Sequence, residues 1–228
     1  MREIVLDTET TGFDPNSGDR IVEIGAVELE NHLPTGNTFH VYINPERSMP
    51  AGAFEVHGLG DEFLKDKPKF VEVADDFLAF VGTDPMVIHN ASFDMKFLNA
   101  ELKWLGKPEL PWKQAIDTLD IARKKFPGAQ NSLDALCRRF SVDNSNRELH
   151  GALLDSELLA EVYLELIGGR QRGMSFESAD AETTRNAPIS TIAAKRPNEL
   201  APRLSDAERK AHEEFVASLK DPLWNSLN

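Results

Sequence analysis

Asp7 and Glu9 stand two residues apart in the run Ile4-Val5-Leu6-Asp7-Thr8-Glu9. If that run is a strand, both carboxylates leave the same face. Two carboxylates about 6–7 Å apart along a strand repel when both are ionised, unless a cation lies between them. Oxygen donors of this kind suit Mg²⁺ or Mn²⁺. Asp94 closes the run His89-Asn90-Ala91-Ser92-Phe93-Asp94, and Asp155 closes His150-Gly151-Ala152-Leu153-Leu154-Asp155. A histidine before a flexible glycine, near carboxylates and metals, is suited to general-base work. Each piece alone also has an ordinary reading. Asp7 and Glu9 could be surface carboxylates, Ser92 a helix cap, Asp94 an acid favoured by the helix dipole, and His150 a structural histidine.

The elements that must position these side chains follow from hydrophobic pattern. Residues 2–8 read as a buried strand, apolar on both faces. Asp14-Pro15-Asn16-Ser17-Gly18-Asp19 is turn chemistry. Residues 20–29 and 38–44 read as a second and a third strand, and an antiparallel meander is their simplest arrangement. Helical spacing predicts helices over 70–81 and 92–105, the latter stopped by Gly106. Short strands are expected at 86–88 and 115–117. Short helices follow at 118–126 and 132–140, the second capped by Asn131 or Ser132. A longer helix spans 151–167, with Leu154, Leu158 and Val162 as its buried stripe and Asp155 beside it. Strands first, then alternating helices and strands, make a mixed α/β sheet of about five strands with helices on both faces. No Gly-x-Gly-x-x-Gly or Walker motif is present.

Composition narrows the class. The 228 residues are 41% hydrophobic and 28% charged, enough for an ordinary core. The formal net charge is −13, which argues against holding nucleic acid by bulk electrostatics. Residues 181–228 carry seven charges of each sign, so the whole excess lies in 1–180. The single cysteine, Cys137, fits a reducing compartment. Acids interrupt the N-terminal apolar run and no span reaches about 18 apolar residues, so neither a signal peptide nor a membrane span is expected. A cytoplasmic location is the expectation.

Taken together, the strand-borne Asp-x-Glu, the Asn-x-x-x-Asp at a strand-to-helix junction and the His-x-Ala-x-x-Asp opening a late helix resemble the DEDDh exonuclease family. The resemblance covers about residues 1–170. It implies a ribonuclease H-like fold and hydrolysis of nucleic acid from the 3′ end. It implies two divalent cations, Mg²⁺ or Mn²⁺, held by Asp7, Glu9, Asp94 and Asp155, with Asp7 bridging them and His150 as general base. Glu9 would also orient the attacking water. Two ions about 3.5–4 Å apart can activate that water and stabilise the leaving oxygen. Thr10 and Gly12 would meet the terminal nucleotide, the glycine by letting backbone approach. His57 resembles a substrate-contacting position of the family.

The remaining segments suggest partners. Gln171-Arg172-Gly173-Met174-Ser175-Phe176 resembles the short peptide that docks on the bacterial sliding clamp, with Gln171, Met174 and Phe176 as anchors. Residues 177–203 read as a flexible linker. In 204–228, Ser205-Asp206-Ala207-Glu208 matches a capping box, and Ala207, Ala211, Phe215 and Leu219 follow at spacing four until Asp221-Pro222 ends the helix. One short amphipathic helix cannot bury its stripe alone, so this tail is expected to dock on a partner rather than fold back on its own domain. Exonuclease domain, clamp peptide, linker and tail together resemble a proofreading arrangement, and that resemblance, with Leu223-Trp224, implies a polymerase subunit as the partner. The expected substrate is a single-stranded or frayed DNA 3′ end. A small accessory subunit is left open, and an RNA-trimming DEDDh ribonuclease is the alternative.

Overall fold

A computed structural model describes residues 1–145, 147, 149–169 and 205–219. The chain divides into two units, Met1–Met174 and Ser175–Asn228. In the first unit the strands are β1 (Arg2–Thr10), β2 (Ile21–Glu30), β3 (Leu33–Tyr42), β4 (Met86–Ile88) and β5 (Ala115–Asp117). Its helices are α1 (Ala51–His57), α2 (Asp61–Leu64), α3 (Phe70–Val81), α4 (Ala91–Trp104), α5 (Thr118–Lys125), α6 (Leu133–Phe140) and α7 (Ala152–Leu166). The sheet order is β3-β2-β1-β4-β5. The first three strands pair antiparallel, and β4 and β5 join parallel to β1, as the mixed pattern predicts.

Side-chain alternation splits the core into two layers. Ile4, Leu6, Ile24, Met86 and Ile88 face α3 and α4, where Phe70, Phe77, Phe97 and Leu98 are buried. Val5, Val27, Leu29 and Val87 face the opposite way, against Leu136, Leu159 and Val162 of α6 and α7. A strand buried on both faces reads as a continuous apolar run, which is why Ile4-Val5-Leu6 is legible as the centre of the sheet.

Two strand boundaries and the buried face of α7 differ most from expectation. β3 begins at Leu33 rather than near 38, because Asn31 and His32 take left-handed backbone (φ 53° and 67°) and close a two-residue hairpin. Pro34 and Gly36 look like turn residues but sit on an edge strand, where a missing donor is tolerated. β1 runs on to Thr10, and one extra β2 residue, Val22, lies between the Glu9–Glu23 and Thr10–Ile21 pairs. That bulge bends the sheet beside Glu9. On α7 the buried face is broader than the expected stripe. Ala152, Ser156, Leu159 and Tyr163 are buried with Leu158 and Val162, whereas Leu154 is half-exposed, because the helix lies across the sheet and also against α6.

In the second unit, α8 (Asp206–Ser218) starts with the expected capping box: Ser205 Oγ accepts the Glu208 N–H and Glu208 accepts the Ser205 N–H. It ends at Ser218, short of the expected Asp221-Pro222. Ser218 Oγ donates to the Phe215 carbonyl, and Leu219 turns to extended backbone. Phe215 is 60% exposed. The expectations on 171–176, 177–203 and Leu223-Trp224 lie outside the described residues.

Gly25 sets how closely α7 approaches the sheet. A Cβ there would lie 2.2 Å from the Ala152 carbonyl carbon and the Leu153 nitrogen. Ser156 Oγ donates to the Gly25 carbonyl at 2.9 Å, so the helix rests directly on β2 backbone. Gly25→Ala should therefore destabilise the fold by about 3 kcal/mol through overpacking, read as a lower midpoint of urea unfolding at unchanged slope. Ser156→Ala, which removes one hydrogen bond, should cost about 1 kcal/mol.

Candidate active site

The odd-numbered residues of β1 face α7. Glu3, at one end, accepts a hydrogen bond from Tyr163 Oη at 2.8 Å. Asp7 and Glu9, at the other, line the same cleft as Asp155 in the first turn of α7. Helix and strand thus run side by side in opposite senses. Asp7 pairs with Gly25 across the β1–β2 ladder, so Asp155 reaches the strand carboxylates over the position that lacks a side chain.

Asp94 reaches the cleft from the other layer. It lies in the first turn of α4, is 2% exposed, and accepts a 2.7 Å hydrogen bond from Thr8 Oγ1. The helix start is shaped by Asn90, which has left-handed backbone (φ 65°) and gives no side-chain cap. Asp117, at the end of β5, caps it instead. Its carboxylate accepts the N–H groups of Asn90 and Ala91 at 3.2 Å each, and that of Leu119 at the start of α5. One carboxylate thus caps two helices at the strand ends where sites of parallel sheets form.

His150 sits on the loop between α6 and α7 and is exposed. Its backbone N–H donates to the Val56 carbonyl at 3.1 Å, tying the loop to α1. Donor atoms of Glu9, His150 and Asp155 all lie within 4.8 Å of one another. The same loop brings in Arg147, whose side chain is 8% exposed. Its Nε and Nη2 fork onto the two Asp155 oxygens at 2.5 and 2.6 Å.

The main cleft, of about 940 Å³, is lined by Asp7, Glu9, Asp94, His150 and Asp155 together with Arg147. Thr10, Gly12 and His57 line an adjoining, more apolar cleft of about 670 Å³. Phe13, 87% exposed, lines both. At Gly12 the structure adds a constraint internal to the fold, since a Cβ there would lie 2.3 Å from the Asp19 carboxylate. That carboxylate accepts from Thr11 Oγ1 and the Asp14 N–H and pairs with Arg47, holding the loop closed. His57 ends α1 and is 5% exposed; its Nδ1 accepts the Leu59 N–H at 3.1 Å, and burial holds it below the usual histidine range.

The electrostatics of the cleft are those of a cation site. Burial, then the charges of Asp94, Glu9 and Asp155, push Asp7 well above the carboxylate range. Burial, then Asp155 and Glu23, push Glu9 up to about 8. Burial raises Asp94 to about 7 against the hydrogen bond from Thr8. At Asp155 burial acts in the same sense, but the His150 ring, 3.5 Å away, and the Arg147 fork outweigh it and hold this acid below its ordinary value. Oxygen donors that cannot all ionise without a positive charge between them fit a divalent cation.

A family model described as Exonuclease (RNase_T) matches residues 4–163. The chain belongs to that exonuclease family. It is 51% identical over 222 residues to the DNA polymerase III subunit epsilon of Rickettsia felis, covering 96% of this chain and 97% of that one. It is 50% identical over 199 residues to the Escherichia coli protein of the same name, covering 84% and 81%. Among solved structures, exonuclease X in complex with 5′ overhanging duplex DNA superposes with a TM-score of 0.58 at 27% identity, over 72% of this chain and 90% of that one. The nuclease domain of 3′hExo, a DEDDh member bound to rAMP, shares the fold with a TM-score of 0.63 at 21% identity, over 73% and 91%. Exonucleases of this type work with divalent metal ions.

Sequence reading passed over Arg147, Asp117, Phe13 and Gly25. Arg147 carries a signal in hindsight, as a lone cation three residues before His150. Phe13 and Gly25 carry none, since only packing separates them from other phenylalanines and glycines.

The raised acids make the metal-free protein sensitive to pH. A carboxyl whose folded value lies above its unfolded one stabilises the fold when protonated and loses that contribution as pH rises through the folded value. For Glu9 and Asp94 the loss falls between about pH 4 and 8. Asp155 acts oppositely, but only in acid. Melting in EDTA should therefore give a lower midpoint at pH 8.5 than at pH 6. Mg²⁺ should raise it more at pH 8.5; an equal gain at both values would contradict the assignment.

Proposed function

We propose that this chain is a metal-dependent 3′–5′ exonuclease that removes nucleotides from DNA 3′ ends and serves as the proofreading subunit of a bacterial DNA polymerase III. The observation that carries the reading is the convergence of Asp7, Glu9, Asp94, Asp155 and His150 on one cleft from β1, α4, α7 and the loop before α7. The relatives named DNA polymerase III subunit epsilon, matched over 97% and 81% of their length, support the biological role.

In this reading Asp7, Glu9, Asp94 and Asp155 would hold two divalent cations, Mg²⁺ or Mn²⁺. When bound, the ions supply charge neutralisation and Lewis acidity at the scissile phosphate. Glu9 orients the attacking water, and His150 takes its proton. Phosphorus–oxygen bond formation to that water breaks the bond to the 3′ oxygen of the preceding nucleotide and releases a mononucleotide. Thr10, Gly12 and His57 receive the terminal nucleotide in the adjoining apolar cleft. His57, kept neutral by burial, presents no charge to a base or sugar.

Residues 171–176 dock on the sliding clamp through Gln171, Met174 and Phe176, and 177–203 form the linker. The tail, 204–228, binds the polymerase alpha subunit. No helix among the described residues is long and apolar enough to cross a membrane.

A 5′-labelled DNA strand should shorten stepwise from its 3′ end with Mg²⁺ or Mn²⁺ and stay intact in EDTA. Shortening of the matching RNA alone would favour the RNA-trimming alternative. Asp7→Ala should abolish the reaction, and His150→Ala should lower kcat about 10²–10⁴-fold, the range of lost proton-transfer catalysis. A chain ended at residue 180 should keep exonuclease activity and fail to co-elute with alpha subunit on size exclusion. Co-elution would place the tether elsewhere.

A further inference from the structure

Arg147 is held by more than its fork onto Asp155. Nη1 donates to Asp134 Oδ1 at 2.7 Å, and Nη2 lies 2.8 Å from His150 Nδ1. Nδ1 also lies 3.5 Å from Asp155 Oδ2. A guanidinium has only donors, so at the shorter contact Nδ1 accepts and the neutral imidazole carries its proton on Nε2. In this arrangement neither ring nitrogen offers a free lone pair. Both Asp155 oxygens are also committed. A metal ion can take one of them only by breaking a charge-assisted hydrogen bond beside a cation that repels it.

Arg147 and the two carboxylates it joins differ in freedom to move. Asp155 is fixed on α7, with its side chain 4% exposed. Asp134 lies at the start of α6, 43% exposed, and is steadied by Asn144 Nδ2 at 3.1 Å. Arg147 belongs to the loop between those helices. The guanidinium is therefore the part that can shift, and Asp134 is the anchor that can keep it nearby.

We infer that Arg147 is the site's internal counter-cation: it holds Asp155 and the His150 base while no divalent ion is bound, and Asp134 retains it when an ion takes Asp155. Metal loading and exposure of the base are then one movement. Arg147 is a positioning residue in this scheme; it acts through Asp155 and His150. The inference rests on the proposed reading of Asp155 as a metal ligand.

The experiment is calorimetric titration of Mn²⁺ into the full chain stripped of metal. Arg147→Gln should bind Mn²⁺ about tenfold more tightly than the unaltered chain, because competition for Asp155 is gone. Asp134→Asn should bind more weakly, because the displaced guanidinium has no second anchor. The double variant should match Arg147→Gln to within about twofold. Arg147→Lys keeps the charge, loses the two-point fork and should fall between the unaltered chain and Arg147→Gln. It keeps the test decisive if the glutamine variant does not fold without metal. A merely structural arginine would weaken Mn²⁺ binding in every variant. Unchanged or weaker binding by Arg147→Gln, or by Arg147→Lys in its place, would overturn the inference, as would additive effects in the double variant. Failure of the unaltered chain to bind Mn²⁺ would remove the metal reading itself, and the inference with it.

Discussion

The contact between α7 and the backbone of β2 at Gly25 is the constraint on which the site depends. A side chain at 25 would occupy the space of the Ala152–Leu153 peptide. Its absence lets the first turn of α7 lie against the sheet, with Ser156 bonded to the Gly25 carbonyl. Asp155 precedes Ser156 and Gly25 faces Asp7, so this one approach brings the helix carboxylate over the strand carboxylates. The far end of the same pairing is held by Tyr163 and Glu3. Between them the two ends set both the angle and the height of α7.

Bringing the acids together is costly, and the fold distributes the cost unevenly. Asp94 is stabilised by the Thr8 hydroxyl and Asp155 by Arg147, whereas buried Asp7 and Glu9 face the charges of neighbouring acids with little local relief. Positive charge is therefore wanted at the strand side of the cleft, where the phosphate of a bound strand would also arrive. The net charge of −13 argues against bulk electrostatic grip on nucleic acid. It agrees better with a chain whose cations enter locally and whose hold on DNA is strengthened by the proposed tethers, which raise effective concentration.

Much of this was legible in the primary structure. Ile4-Val5-Leu6 reads as a doubly buried strand. That assignment sends Asp7 and Glu9 to one face and Thr8 to the other, where Thr8 meets Asp94. The spacing over 70–81 matches α3 residue for residue. The edge strand was harder. Pro34 and Gly36 carry turn chemistry, and only pairing with β2 overrides it. The stripe of α7 is broader than Leu154, Leu158 and Val162, with Leu154 only partly buried at its edge, because a helix packed on both a sheet and a helix buries more than one stripe.

By itself the sequence determined the identity and order of the acids, the period of each element and the family to which they point. These are local properties, set by side-chain type and by repeats of about 2 and 3.6 residues. The tertiary structure alone decided the rest. It showed that Gly25 rather than another glycine admits α7, and that Asp117 caps two helices at once. It placed Arg147 on Asp155 and Phe13 between two clefts. Each of these depends on a contact between elements distant along the chain, and such contacts have no period to read.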